Sequence, residues 1–151
     1  SLWGPRALWI ERDQMWIALR EGHSVWTMDM NEGLLHHIAG TGEQGFHDNN
    51  SHDKSARAAT FDGPKGIALD ADGNVYIADT ENHAIRRIIR QTERVETIAG
   101  SGPDQGGFAG DGGPARQARL NRPHGICLGA DGAVYVGDTL NHRVRRIRLV
   151  P

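Results

Sequence analysis

The chain has 151 residues, a formal net charge of −2 and 38% apolar residues. That near-balance gives no global pull toward nucleic acid or an anionic membrane surface, and no apolar run reaches the roughly 20 residues of a transmembrane helix. The single cysteine, Cys127, excludes an internal disulfide and leaves the redox compartment open.

No signal-peptide pattern opens the chain, although a segment of a longer protein would carry none. What dominates the sequence is repetition. Pro5, Pro64 and Pro123 are spaced 59 residues apart both times (64 − 5 and 123 − 64). From Pro64 the chain reads P-K-G-I-A-L-D-A-D-G-N-V-Y-I-A-D-T-E-N-H-A-I-R-R-I, and from Pro123 it reads P-H-G-I-C-L-G-A-D-G-A-V-Y-V-G-D-T-L-N-H-R-V-R-R-I. A fixed period of this kind decides the fold before any local reading does.

Unit one covers about residues 2–40, with strands expected at 7–11, 15–19, 24–29 and 35–39. It carries all four tryptophans, Trp3, Trp9, Trp16 and Trp26. Large aromatics suit the gap of about 10 Å between stacked sheets, so they are expected in a core between sheets rather than on a binding surface.

Residues 41–60 form a long polar connection, and residues 101–119 are its counterpart. Both contain Gly-Phe followed by Ala-x-x-Ala (Ala56/Ala59 and Ala115/Ala118). Each is expected to be a loop anchored by Phe46 or Phe108, then roughly one helical turn. Because the loop itself repeats, a structural linker is favoured over a binding loop. Asp48, Asn49, Asn50, Ser51 and Asp53 imitate a calcium loop but lack the D-x-D-x-D-G spacing that calcium's roughly six to eight oxygens require. Calcium is therefore not expected there.

Unit two covers about residues 61–100. Pro64 suits the first residue of a strand, and Gly66 suits a place where backbones crowd. Ile67, Ala68 and Leu69 are apolar on both faces, as in a sheet sandwiched between two others. Asp72-Gly73, like Asp131-Gly132, signals a two-residue hairpin. Residues 79–82 form a polar turn.

Unit three covers about residues 120–149 and shows only three strands, with no V-x-T-I-A-G segment after the third. Cys127 lies mid-strand and is expected to be a small buried hydrophobe.

The arginine pairs suggest either a basic patch or internal bonding. Asp79 and Asp138 end the second strands, a few residues before Arg86-Arg87 and Arg145-Arg146. With His23 aligned on His83, unit one holds Leu19 in place of the acid and Trp26-Thr27 in place of the bases. Acid and bases are absent together. Joint loss is what a structural pair predicts, since breaking one side of a buried pair costs about 3–5 kcal/mol while apolar replacement of both can be neutral. Asp79 is expected to pair with Arg86 or Arg87, and Asp138 with Arg145 or Arg146. Arginines so engaged cannot also neutralise phosphates, which disfavours nucleic acid.

His23, His83 and His142 recur at one position of each unit and are read as turn-stabilising. His36, His37, His47 and His52 show no ligand spacing, so no metal centre and no cofactor are expected. His124 differs, because it follows Pro123 where Arg6 and Lys65 follow Pro5 and Pro64. These three are expected to gather at one mouth of a central channel, forming a partly basic rim for an anionic ligand or a carboxylate-bearing protein. Glu11 and Asp70, at the ends of the inner strands, are the other candidate ligand groups. No nucleophile–base pair is visible.

The segments Ala78 to Ile88 and Gly137 to Ile147, with the Pro-x-Gly openings of units two and three and the I-A-G closings at 38–40 and 98–100, resemble the NHL repeat, the motif of a family of β-propellers. W-I-A-L-R-E-G-H-S-V-W is also similar to a blade of NHL proteins that carry an upstream thioredoxin-like domain. The resemblance implies an all-β fold with three blades in this chain. A propeller has about four to eight four-stranded blades, so the expected completion is a ring of about six. The remaining blades would come from a longer parent chain or a second copy, and the outer strand of unit three from the other end of the parent. The implied role is a non-catalytic scaffold binding a protein or small ligand on one face. The alternative is a propeller lyase or hydrolase with a metal in its channel, held by groups on blades outside this chain.

Overall fold

The computed structural model describes residues 1–49 and 55–149. Among the described residues eleven strands form three antiparallel sheets, and within each sheet every strand pairs with the next in sequence. The first sheet contains β1 (Pro5–Glu11), β2 (Gln14–Leu19), β3 (Ser24–Asp29) and β4 (Leu35–Ala39). The second contains β5 (Pro64–Leu69), β6 (Val75–Asp79), β7 (Ala84–Ile89) and β8 (Arg94–Ala99). The third, among the described residues, has β9 (Pro123–Leu128), β10 (Val134–Asp138) and β11 (Arg143–Ile147). The sheets stack side by side as propeller blades, with β5 packed against β1 on one side and β9 on the other.

Hydrophobic burial between the blades explains the sequence pattern. One core lies between the first two sheets and includes Trp16, Val25, Phe61, Ile67, Val75, Ile77 and Val95. A second lies between the last two and includes Tyr76, Ala78, Ile85, Leu120, Val134 and Val136. Alternate residues of β6 thus enter opposite cores, and the whole strand is buried. Each such Val or Ile contributes about 1.5–3 kcal/mol when fully removed from water. The outer faces lack this cover. Leu8 and Ile10 on β1 and Val144 on β11 are exposed.

The same asymmetry corrects two expectations. Cys127 is exposed, because among the described residues nothing covers that face of β9. Of the tryptophans, Trp16 is buried and Trp9 packs against the first core, whereas Trp3 precedes β1 and is 73% exposed. Trp26 is half-buried, its ring stacked on His37 at 4.6 Å between centroids.

The Asp-Gly hairpins also differ from expectation. Asp70 N–H donates to the carbonyl of Asn74, and Gly73 N–H donates back to the carbonyl of Asp70, at 3.1 and 3.0 Å. The loop therefore has three residues rather than two, with Gly73 at φ +79 in the left-handed position such a loop requires. Each linker ends in one 3₁₀ turn, Ala56–Ala58 or Ala115–Gln117.

Candidate functional site

Arg86 is fully buried and satisfied on every side. Its Nη1 donates to Asp79 Oδ2 at 2.8 Å and to the Thr60 carbonyl at 3.0 Å, its Nη2 to the His47 carbonyl at 2.9 Å, and its Nε to Asp48 Oδ1 at 3.0 Å. Phe46 and Phe61 flank the guanidinium about 5 Å away. Asp79 also accepts from Asn82 Nδ2 and the Asp62 N–H at 2.9 and 2.7 Å. Burial pushes the Asp79 carboxyl up to about 6, against the opposing pull of Arg86 and the two other donors.

The third blade repeats the arrangement. Arg145 donates to Asp138 at 3.1 Å and to the Arg119 and Ala109 carbonyls, while Asp138 accepts from Asn141 and the Asn121 N–H. The second arginine of each pair points elsewhere. Arg87 binds Glu96 on β8, and Arg146 binds Asp131 in the β9–β10 loop. One arginine per blade therefore ties the incoming linker to the sheet, and the other ties neighbouring strands together. Neither is presented as a free cation for phosphate.

The recurring histidines act between blades. His23 and His83 sit at positive φ (43° and 52°), and their Nδ1 atoms accept the N–H of Gly63 and Arg122 at 3.1 Å in both cases. Gly63 and Arg122 stand just before β5 and β9, so each histidine holds the start of the next blade. An accepting Nδ1 must be unprotonated. Burial lowers the His83 pKa, assisted by Arg122, and so favours that state. Thr80 Oγ1 adds a second tie to the Pro123 carbonyl at 2.7 Å.

The five candidate ligand groups divide between opposite ends of the inner strands. Arg6, Lys65 and His124 are each the second residue of their strand, whereas Glu11 ends β1 and Asp70 follows β5. At about 3.3 Å per residue, the two ends lie more than 15 Å apart. Asp70 is occupied locally, accepting from the N–H groups of Asp72 and Asn74, from Asn74 Nδ2 and from the Tyr76 hydroxyl. It shapes the hairpin loop.

At the other end the cations converge. Lys65 Nζ donates to Glu81 Oε1 at 2.9 Å, and Arg122 Nη2 donates to the same oxygen at 2.6 Å. His124 has its pKa lowered by burial first, then by the fields of Lys65, Arg122 and Arg6. One carboxylate thus serves two permanent cations, Lys65 and Arg122, beside the titratable ring of His124, while Arg6 is exposed and acts on that ring through its field alone. Arg122 and Glu81 belong to this site although strand position did not single them out. The visible signal was their place in the repeat: Glu81 lies in the turn facing the next blade, and Arg122 precedes a repeat proline.

Among the described residues no group of three His, Cys, Asp or Glu side chains is placed to hold a metal ion. Asp48, the first residue of the calcium-like stretch, is engaged by Arg86 and Thr97. Asn49 binds the backbone of Glu93 and Val95. Asn50, Ser51, His52 and Asp53 lie outside the described residues.

The NHL repeat model matches residues 61–88 and 120–147. The chain is 37% identical over 109 residues to Protein SUPPRESSOR OF QUENCHING 1, chloroplastic, of Arabidopsis thaliana, covering 71% of this chain and 10% of that protein. It is 29% identical over 143 residues to NHL repeat-containing protein 2 of Bos taurus, covering 89% of this chain and 19% of the relative. The chain therefore spans about a fifth or less of the length of the curated relatives it matches. Among solved structures, a protein of unknown function from Bacteroides thetaiotaomicron superposes with a TM-score of 0.76 at 21% identity, covering 88% of this chain and 32% of that one. An auxiliary nutrient binding protein of the same organism superposes with a TM-score of 0.66 at 24% identity, covering 90% and 35%. No helix among the described residues is long and apolar enough to cross a membrane. The repeat match, the relatives and the three stacked antiparallel sheets agree, and the chain belongs to the NHL-repeat family of β-propellers.

Proposed function

We propose that this propeller segment is a non-catalytic binding scaffold that receives an anionic group, a small anion or the carboxylate of a protein partner, where Arg6, Lys65 and His124 begin the inner strands. The observation that carries the reading is that Lys65 Nζ and Arg122 Nη2 both donate to one oxygen of Glu81, at 2.9 and 2.6 Å, at the end of the inner strands where Arg6, Lys65 and His124 each stand second. Lys65 and Arg122 are partly buried and share one carboxylate, and partly desolvated cations in excess of their counter-charge attract an anion more strongly than the same cations in open water. The propeller fold suits the role, since it gathers equivalent positions of successive blades around one mouth. Further blades, from a longer parent chain or a second copy, would bring the ring to about six and add their own residues to the rim.

The test is isothermal titration with sulfate and with a tetra-aspartate peptide, on the chain and on Arg6→Glu combined with Lys65→Glu. Thermal melting of the variant checks that it folds. The reading expects binding to fall at least about tenfold in the reversed variant. Unchanged binding in a folded variant removes the rim as the site.

A further inference from the structure

We propose that the cleft between the first two blades is a subsite for a guanidinium group, so that the ligand of this face is dipolar: a carboxylate at the rim and an arginine side chain in the cleft. The carboxylate half rests on the anion reading above, and the guanidinium half rests on the cleft alone. The cleft has a volume of about 430 Å³ and is bordered by Arg20, Glu21, Asp62, Glu81 and Arg122. It meets the rim at Glu81, which holds Lys65 and Arg122 on one oxygen and donates its N–H to the Asp62 carbonyl at 3.1 Å.

Charge pairing inside the cleft leaves one carboxylate over. Arg20 pairs with Glu21, and Arg122 with Glu81. Asp62 meets no lysine or arginine among the described residues. Its Oδ1 accepts from Gln44 Nε2 at 3.3 Å, a long hydrogen bond, and stands 3.8 Å from His23 Nδ1. That nitrogen already accepts the Gly63 N–H, so it has no proton to give and the ring brings no charge. The Asp62 side chain is only 26% exposed. A carboxylate withdrawn from water without a cation costs free energy that an arriving cation offsets.

The next joint shows which cation fits. With His23 aligned on His83, Glu21 stands in the place of Glu81, and 59 residues after Asp62 and Gly63 come Asn121 and Arg122. Between the second and third blades the Arg122 guanidinium reaches back to Glu81 at 2.6 Å, and the residue before it is a neutral amide. Between the first and second blades that arginine is replaced by Gly63, which brings no side chain, and the amide by an acid. The acid stands where the arginine is missing. Gly63 and Arg122 share the left-handed backbone, at φ 57° and 50°, so the two joints present the position alike. A guanidinium from outside therefore supplies at the first joint what Arg122 supplies at the second. Its planar fork of five N–H donors can serve Glu21 and Asp62 together, which the compact ammonium of a lysine does less well.

The test titrates the chain with Nα-acetylarginine, which carries a carboxylate and a guanidinium, and with Nα-acetylcitrulline, its uncharged isostere. Binding is followed by calorimetry and by the NMR shifts of the Asp62 and Gly63 amides. Both compounds are also titrated into Asp62→Asn and into Gly63→Arg, which fills the cleft from within, and melting checks that each variant folds. The proposal expects the arginine compound to bind the original chain at least about tenfold tighter than its isostere. That advantage should vanish in both variants, while sulfate affinity stays equal or rises, since each variant removes a negative charge or adds a positive one beside the rim. Three results would overturn it: equal binding of the two compounds to the original chain, an advantage that survives Asp62→Asn, or Nα-acetyllysine binding as tightly as Nα-acetylarginine. Sulfate binding with no arginine advantage keeps the rim and removes the cleft. An arginine advantage with no sulfate binding keeps the cleft and removes the carboxylate half.

Discussion

A Cβ on Gly66 would stand 2.1 Å from the carbonyl oxygen of His124. The inner strands of the second and third blades approach so closely that only glycine fits, and φ plays no part, since Gly66 is not among the positive-φ residues. Gly125, its repeat counterpart, has nothing within 4 Å of the same point. Gly66→Ala is therefore expected to destabilise by about 1–3 kcal/mol, the usual cost of overpacking. Gly125→Ala in this chain should stay within about 0.5 kcal/mol. Urea denaturation of the two variants measures the contrast. A longer protein with a further blade seated on β9 should show the penalty at both glycines.

The Asp79–Arg86 pair carries a second asymmetry. Asp79→Ala strands a buried guanidinium, and the expected loss is about 3–5 kcal/mol. Asp138→Ala should cost less, because Arg145 is slightly exposed whereas Arg86 is fully buried; each arginine keeps a second carboxylate, Asp111 or Asp48. Replacing Asp79 and Arg86 together by the Leu and Trp of the first blade should recover only part of the loss. Arg86 also donates to the Thr60 and His47 carbonyls; the His47 carbonyl keeps the Thr60 N–H, but the Thr60 carbonyl loses the donor that Arg86 supplies. Calorimetric melts of the single and double variants decide this. Full recovery would mean that the linker bonds are energetically idle.

The 59-residue period and the apolar, turn-bounded runs made the blades readable, because a sheet buried on both faces needs such runs and little else produces them. The coupling of Asp79 to the arginines was readable too, through the first blade, where acid and bases are absent together. Strand position could not say which arginine bonds. Arg86 and Arg87 are adjacent and point to opposite faces, and only the stacking order decides which face meets the linker. The exposure of Cys127 and the division of the rim candidates were hidden for a related reason. Both depend on which faces and strand ends have neighbours, and the repeat looks the same whether or not a neighbour is present.

Acid should weaken the joint between the second and third blades. His83 accepts the Arg122 N–H through Nδ1, and its folded pKa lies below 6.5, so protonation is disfavoured in the folded state. A depressed histidine pKa contributes stability that is present above about 6.5 and lost as pH falls through the folded value. The Asp79 carboxyl, raised to about 6, works the other way in this window and is common to both proteins, so the readout is the difference: the melting-temperature advantage of the original chain over His83→Ala, about 1 kcal/mol at pH 7, should shrink between about pH 6.5 and 5. His142 has no following blade among the described residues and is exposed, so His142→Ala should leave the profile unchanged. An equal effect of both substitutions would contradict the inter-blade role.

Anion binding at the rim should run the opposite way with pH. Burial and the neighbouring cations Lys65, Arg122 and Arg6 hold the His124 pKa below 6.5, so at pH 7 the ring is neutral and contributes no charge. An anion bound among these cations stabilises the imidazolium and raises that pKa, so binding takes up a proton. Sulfate remains a dianion across the range, and its affinity should rise as pH falls from about 7 to 5, by up to tenfold for one coupled proton whose pKa shifts by about one unit. Sulfate should also offset part of the acid-induced loss of stability, since it binds only the folded rim. In His124→Gln the pH dependence should disappear while affinity at pH 7 stays near that of the original chain. A sulfate affinity that does not change with pH in the unsubstituted chain would place the anion away from His124, and with it away from the start of the inner strands.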